Sequence, residues 1–362
     1  MKRYIVLEGL FDYETLSKNK TLSAAVTRWL SVFLSEVNYV FIGHEYSRVW
    51  PLGRMNLKSK RSNKGFILGY INIFVFRKIH LFASYIYKVY DLLKNSSFQD
   101  TIIIHSCLDY KKKLTVQILV AKLFKKFKGL NVICVVGDGY EPDGFDAYFF
   151  VSYHTYRLAK QKNKFLFEGV VENQNIQKET ISYPKKSSKK IKLMYSGAID
   201  GHVSLENLVD ALQEQKFTNK YELIITGICN DNGLTDYFNS FNNVKYLGFL
   251  KDDELYYKAQ EVDAFINPRR MDFLPNEFNF PSKLLFYMQF DKLIISSVTK
   301  GVSPVFLEFL MPIEGDKKTD YESALDNFNK LTQKEIETLL RKQKALKINL
   351  SKENASNLLL KF

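Results

Sequence analysis

A chain of 362 residues is longer than one hydrophobic core usually serves, which points to two domains, and 46% hydrophobic with 25% charged residues excludes a disordered or fibrous protein. The net charge of +13 calls for an anionic partner or surface, yet no nucleic-acid-binding signature accompanies it, so nucleic acid is not an expected partner. Three cysteines, Cys107, Cys134 and Cys229, are too far apart for a C-x-x-C motif and read as reduced core residues.

From the N-terminus, MKRYIVLEGL meets Glu8 too early for a secretory signal, so the expected location is the cytoplasm. Short β-branched and aromatic runs then recur between helical patterns: Tyr4 to Leu7, Tyr39 to Ile42, Thr101 to Ile104, Val132 to Val136 and Ala147 to Val151. Strand alternating with helix predicts a parallel sheet. Between them, Phe66 to Leu93 is the most apolar and aromatic stretch, but Arg77, Lys78 and His80 interrupt it before the ~20 apolar residues of a bilayer crossing are reached. It reads as a surface-lying or groove-lining helix, at the peripheral face of a membrane in one reading and buried in the first domain in the other. Basic residues interleaved with apolar ones favour the membrane surface, here the inner face; a basic surface that only aids solubility accounts for the charge equally well.

YPKKSSKK, Tyr183 to Lys190, replaces apolar residues with proline, serine and lysine and is the expected linker. The pattern restarts with Lys192 to Tyr195, Glu222 to Thr226, Val244 to Leu247, Asp263 to Asn267 and Lys292 to Ser296. The expected organisation is an α/β chain of two doubly wound, Rossmann-like domains, residues 1–182 and 191–335, joined by the linker 183–190 and followed by a helical segment, residues 336–362, packed across both.

The residues richest in chemistry are Ile266 to Ser303, INPRRMDFLPNEFNFPSKLLFYMQFDKLIISSVTKGVS. Arg269 and Arg270 emerge at the end of a strand, where open parallel sheets bind ligands. Pro281 suits the first position of a helix, with Ser282 and Lys283 beside it offering donors and charge. A diphosphate fits such a helix start, compensated by an arginine fork, an ammonium and the helix dipole, with no metal required. No cluster with metal-ligand spacing occurs, and no metal or other cofactor is expected. By the i,i+3 rule, position 286 shares a face with Lys283 and should lie beside the diphosphate. Singly, Arg269, Lys283 and Pro281 read as a surface charge, a solvated helix residue and helix punctuation; only their register with a strand end assembles them into a site.

The run NPR…FNFPSKLLFYM…DKLIISS…GVSP resembles the donor segment of family-4-type retaining glycosyltransferases of the GT-B fold, notably bacterial capsule and O-antigen enzymes. MYSGAID with LENLVDAL, then ELIITG and VKYLGFLKDDEL, follow the order of the same domain, so the resemblance spans the second half of the chain and is one of fold alone in the first. It implies two domains facing a cleft, the first binding the acceptor and the second a nucleotide-diphosphate sugar, with Arg269 and Lys283 on the diphosphate, Ser282 contributing its amide or hydroxyl, and Gly197 letting a loop approach the ligand. It also implies a ribose-binding glutamate at position 286, where this chain has Phe286, which cannot accept hydrogen bonds; either Glu277 or Asn279 of the preceding loop substitutes, or the donor is recognised differently. The activity so implied is transfer of a hexose-like sugar to a polysaccharide or lipid-linked saccharide in capsule, O-antigen or lipopolysaccharide synthesis. Phe286 keeps open a catalytically inactive binding or partner protein of the same fold, and the two-domain plan alone also admits a nucleotide-sugar epimerase.

On the acceptor side, loops after strands of the first half supply the candidates. Gly9 opens the loop after the first strand. His105 is placed to orient a hydroxyl or move a proton, and Asp138 to hold acceptor hydroxyls. HEYSRVWPLGR offers His44 and Trp50 for sugar stacking, and SYHTYR offers His154; packing or strand-end capping is the competing reading of each.

Overall fold

The computed structural model describes residues 2–7, 37–44, 52, 55, 57–62, 65–94, 96–106, 115–137, 143–171 and 190–362. The chain forms two compact units, Met1–Val170 with Lys352–Phe362, and Val171–Ser351.

The first unit is built on β1 (Lys2–Leu7), β2 (Tyr39–His44), β3 (Lys60–Ser62), β4 (Gly65–Leu68), β5 (Gln99–Ser106), β6 (Asn131–Val136), β7 (Ala147–Phe150) and β8 (Lys164–Leu166), in the order β3-β4-β2-β1-β5-β6-β7-β8. Every pairing is parallel except β3 with β4. Tyr4, Ile5, Val6 and Leu7 are all buried, the continuous apolar run expected of a strand covered on both faces. Arg3 and Asp100 are register partners on β1 and β5, and their buried side chains pair at 2.7 Å. A one-residue slip would leave both charges buried and unpaired, so the pair fixes the register.

The second unit holds β9 (Ile191–Ser196), β10 (Tyr221–Thr226), β11 (Val244–Tyr246), β12 (Ala264–Asn267), β13 (Leu293–Ser297) and β14 (Met311–Ile313) in the order β11-β10-β9-β12-β13-β14, all parallel. Counted within the unit, this is the doubly wound 3-2-1-4-5-6 order, and the α/β class read from the sequence holds in both units. Each expected strand is present within a residue or two of its expected ends. The strands that patterning did not pick out, β3, β4, β8 and β14, have only three or four residues, too few for alternation to register.

The aromatic stretch divides differently from expectation. Phe66 to Leu68 belong to β4, which pairs with β2, and the helix runs Phe74–Lys94. Leu81, Tyr85 and Val89, spaced by four, are its buried face against the core of the first unit. Among the described residues, no helix is long and apolar enough to cross a membrane. The expected linker 183–190 lies outside the described residues except Lys190.

The C-terminal helical segment is two helices that serve different units. Thr332 and Glu335 cap each other's backbone at the start of Gln333–Asn349, where Gln343 and Lys347 donate to the carbonyls of Phe290 and Gln289 in the second unit. Lys352–Leu360 instead buries Ala355 and Leu359 in the core of the first unit, with Tyr4 Oη donating to Leu359 O (3.3 Å) and Phe362 edge-on to Phe149 and Phe165. Leu359 is fully buried. Leu359→Ala is therefore expected to destabilise the first unit by about 2–4 kcal/mol in urea unfolding, whereas Leu360→Ala, one residue on and exposed, should change it by less than about 0.5 kcal/mol.

Candidate anion-binding site of the second unit

The order of the second sheet reverses between β9 and β12, so the turns leaving their C-terminal ends share one crevice. These turns are stitched together. Val203 and Arg269 form an antiparallel bridge, Ser204 N donates to Pro268 O (3.0 Å) and Arg270 N to His202 O (3.1 Å).

Lys283 reaches into this crevice. Its Nζ donates to Tyr195 Oη at 2.6 Å and lies 4.6 Å from the centre of the tyrosine ring, while Tyr195 Oη donates to Ala198 O (2.7 Å). The side chain as a whole is half-buried, but its ammonium end is enclosed. Removal from water, reinforced by the Arg269 guanidinium and opposed by Asp200, lowers its pKa from 10.5 to about 7. Burial likewise pushes the Tyr195 hydroxyl well above its usual value, so it stays protonated. Gly197, at φ +145°, makes room for the lysine: a β-carbon there would meet Lys283 Cε at 1.9 Å. The space expected for a ligand's approach at Gly197 is thus filled first by Lys283 itself. Behind it Gly227, at φ +140°, lets the next turn close in, since its β-carbon would fall 1.8 Å from Gly197 O.

Arg269 is held from a second side. Its amide donates to Ser297 Oγ (2.9 Å) and its Nη2 to Asn276 Oδ1 (2.5 Å). Asn276 is 1% exposed, and its Nδ2 donates to His202 O and Arg270 O, which fixes Oδ1 as the acceptor. His202 Nδ1 sits 2.8 Å from that same oxygen, so Nδ1 donates to it. His202 stands edge-on to Phe273, 4.7 Å between ring centres, and its amide donates to Asp200 Oδ1 (3.0 Å). One buried amide side chain therefore positions a guanidinium and an imidazole at the crevice edge.

Pro281, expected at the first helical position, lies two residues before the helix, which is short. The helix spans Lys283–Tyr287, and the amides of Leu284 and Leu285 are already taken by the carbonyls of Pro281 and Ser282. Five residues sum to little macrodipole, so the positive potential rests on Lys283 and Arg269, with Ser282 and Lys283 offering backbone amides. Phe286 packs half-buried against Phe265, Tyr287 and Phe290, at 5.3–6.5 Å between ring centres. Tyr287, stacked on Phe265 at 4.5 Å, accepts from Ser196 N (3.0 Å) and ties the helix to the end of β9. Glu277 pairs with Lys300 at 2.9 Å, which engages the carboxylate expected to replace the missing glutamate.

In the first unit, Gly9, Trp50 and Asp138 lie outside the described residues, and His105 is described only as backbone in β5, paired with Val135. His44 ends β2, with Nδ1 3.0 Å from Tyr85 Oη and its ring edge-on to Tyr70 and Tyr85. Burial, reinforced by Arg77, lowers its pKa to about 4, so it is neutral at physiological pH and committed to packing contacts. His154 is half-buried in the short helix Tyr153–Leu158 after β7. Sequence reasoning missed Tyr195, Asp200, Asn276 and Tyr287. The first two flank Gly197 at a strand end and were within reach of the strand-end argument, whereas Asn276 and Tyr287 act through contacts 74 and 91 residues away.

Two outcomes follow from this geometry. A bound diphosphate stabilises the Lys283 ammonium, so above pH 7 binding must take up a proton; affinity for a nucleoside diphosphate should fall up to about tenfold per pH unit between pH 7.5 and 9. Calorimetry at pH 8 in buffers of different ionisation enthalpy should register an uptake approaching one proton, absent in Lys283→Met. Asn276→Ala strips Arg269 and His202 of their shared acceptor and is expected to weaken the same binding by about 1–3 kcal/mol, with Asn276→Gln recovering little because the longer side chain displaces the oxygen.

No protein-family model matches the sequence, and no curated protein is significantly similar to it. Solved structures share its fold from end to end. They include a trehalose-6-phosphate structure from E. coli bound with UDP-2-fluoro glucose (11% identity, 99% of this chain and 98% of that chain, TM-score 0.65). An alpha,alpha-trehalose-phosphate synthase (UDP-forming) from Burkholderia xenovorans in complex with glucose-6-phosphate matches at 9% identity, 100% and 99% coverage and TM-score 0.64. The lipopolysaccharide outer core galactosyltransferase WaaB in apo form matches at 15% identity, 100% and 99% coverage and TM-score 0.64. With two doubly wound units matched over the whole chain, the protein has the GT-B fold.

Proposed function

We propose that the protein is a glycosyltransferase that moves a sugar from a nucleotide-diphosphate donor, held at Lys283 and Arg269, to a saccharide acceptor bound by the first unit. The observation that carries this reading is the desolvated Lys283 ammonium at the switch point of the second sheet, beside a guanidinium that Asn276 holds in place. Fixed cations at the crevice stabilise the charge that develops on a departing nucleoside diphosphate without rearranging as it forms. The likeness to glycosyltransferase structures, one with a UDP-sugar analogue and one a lipopolysaccharide outer core galactosyltransferase, supports the same reading. Its finer parts are retention of anomeric configuration, independence of metal or other cofactor, a polysaccharide or lipid-linked acceptor in capsule, O-antigen or lipopolysaccharide synthesis, and a cytoplasmic protein lying on the inner membrane face.

Position 286 bears on which donor is held. An aromatic ring there leaves the ribose hydroxyls without a carboxylate partner, a loss of about 1.5–3 kcal/mol of binding relative to a charge-assisted hydrogen bond. Calorimetric titration with UDP, GDP, ADP, CDP and dTDP, together with mass spectrometry of any nucleotide carried through purification, tests the assignment. At least one diphosphate is expected to bind with micromolar affinity and to lose about a hundredfold in Lys283→Ala; absence of binding across the panel overturns the reading.

A further inference from the structure

The helix Phe74–Lys94 has two apolar faces, and the core of the first unit uses only one. Leu81, Tyr85 and Val89 are buried. On the opposite side Phe76, Ile79, Ala83, Tyr87 and Tyr90 follow one another at spacings of three and four, a single stripe about 20 Å long. The large members are 58%, 62%, 71% and 49% exposed, and Phe74 at the helix start is 79% exposed. Among the described residues, no other helix shows as many large apolar side chains to solvent. Such a stripe has no stabilising role within the folded unit and costs solubility.

What surrounds the stripe selects its occupant. Lys94 continues it one turn beyond Tyr90, Lys78 is exposed beside Ile79, and the only acid of the helix, Asp91, is paired with Lys88. The adjoining helix Val116–Lys128 has no acidic residue and adds Phe127 (69% exposed) with Lys126 and Lys128. Lys128 Nζ lies 5.9 Å from the Tyr90 ring and Lys126 Nζ 5.6 Å from that of Phe127. Aromatic rings and ammonium groups side by side, above an apolar row, match the chemistry of a lipid interface: rings at headgroup depth, cations on phosphate, apolar side chains at the acyl boundary. A protein partner would need acids that complement these cations around an apolar core, and a second copy would set the cations of one protomer against those of the other.

We infer that the stripe Phe76–Ile79–Tyr87–Tyr90, with Lys94, Lys126 and Lys128, is the surface by which the protein lies on an anionic bilayer. The inference deepens the peripheral location proposed above, and its test reads vesicle binding without sugar transfer. Failure here leaves the donor site untouched, and failure of nucleotide binding leaves the surface untouched.

The full-length protein is sedimented with vesicles of phosphatidylcholine alone and with vesicles in which about a third of the lipid is phosphatidylglycerol. Wild type is expected to pellet with the anionic vesicles and not with the neutral ones, and to be partly released by high salt. F76S/I79S and K126E/K128E should each lower the partition at least about tenfold, with unchanged melting temperature and unchanged titration by a nucleoside diphosphate. Should F76S/I79S melt lower than wild type, Y87S/Y90S at the other end of the stripe replaces it. The inference is overturned if wild type stays in the supernatant with anionic vesicles, or if the apolar variant binds them as tightly as wild type. It is equally overturned if sedimentation velocity without lipid reveals a dimer that the apolar variant dissociates.

Discussion

Taking a lysine ammonium out of water is unfavourable, and the second unit does so at the end of its first strand. Among the described residues, no carboxylate forms an ion pair with Lys283; it meets the hydroxyl and ring of Tyr195, and Asp200 offsets its charge from a distance. That arrangement demands its surroundings. Gly197 must lack a β-carbon so that the lysine stem can pass, Gly227 must lack one so that the next turn can close behind it, and Tyr287 must anchor the helix that bears the lysine to β9. A cation so held lacks a close counter-charge among the described residues, which suits it to an anion.

The second cation is organised on a different principle. Arg269 is fixed through Asn276, whose four hydrogen bonds leave its amide no freedom and which shares one oxygen between Arg269 and His202. Lys283 gains its reactivity toward anions from desolvation, and Arg269 its geometry from a saturated buried partner. Between them the site places charge without relying on a helix dipole, which a five-residue helix scarcely supplies. Phe286 joins the aromatic cluster of Phe265, Tyr287 and Phe290, so a packed ring stands where the family resemblance implies a carboxylate.

In the first unit, the same long helix explains two readings of one sequence segment. Hydrophobicity could not choose between a buried and an interfacial helix because the segment carries both faces, one in the core and one in solvent. The C-terminal helices show a similar division of labour. The helical segment expected at residues 336–362 belongs to two helices, the first docked by Gln343 and Lys347 on the second unit and the second inserted by Leu359 into the first. Chain order and structural membership therefore part company at Lys352.

The sequence by itself determined the alternation of strand and helix, the places of most central strands, and Arg269, Ser282 and Lys283 as neighbours at a strand end, because these depend on local periodicity and on signals a few residues apart. Tertiary structure alone decided that Gly197 serves Lys283, that Asn276 joins Arg269 to His202, that Glu277 is engaged by Lys300 and that His44 is packed between tyrosines. Those outcomes arise where segments far apart in sequence meet, at a strand-order reversal or a helix packed on a sheet. Desolvation and pairing there are properties of the assembled neighbours, and no single segment encodes them.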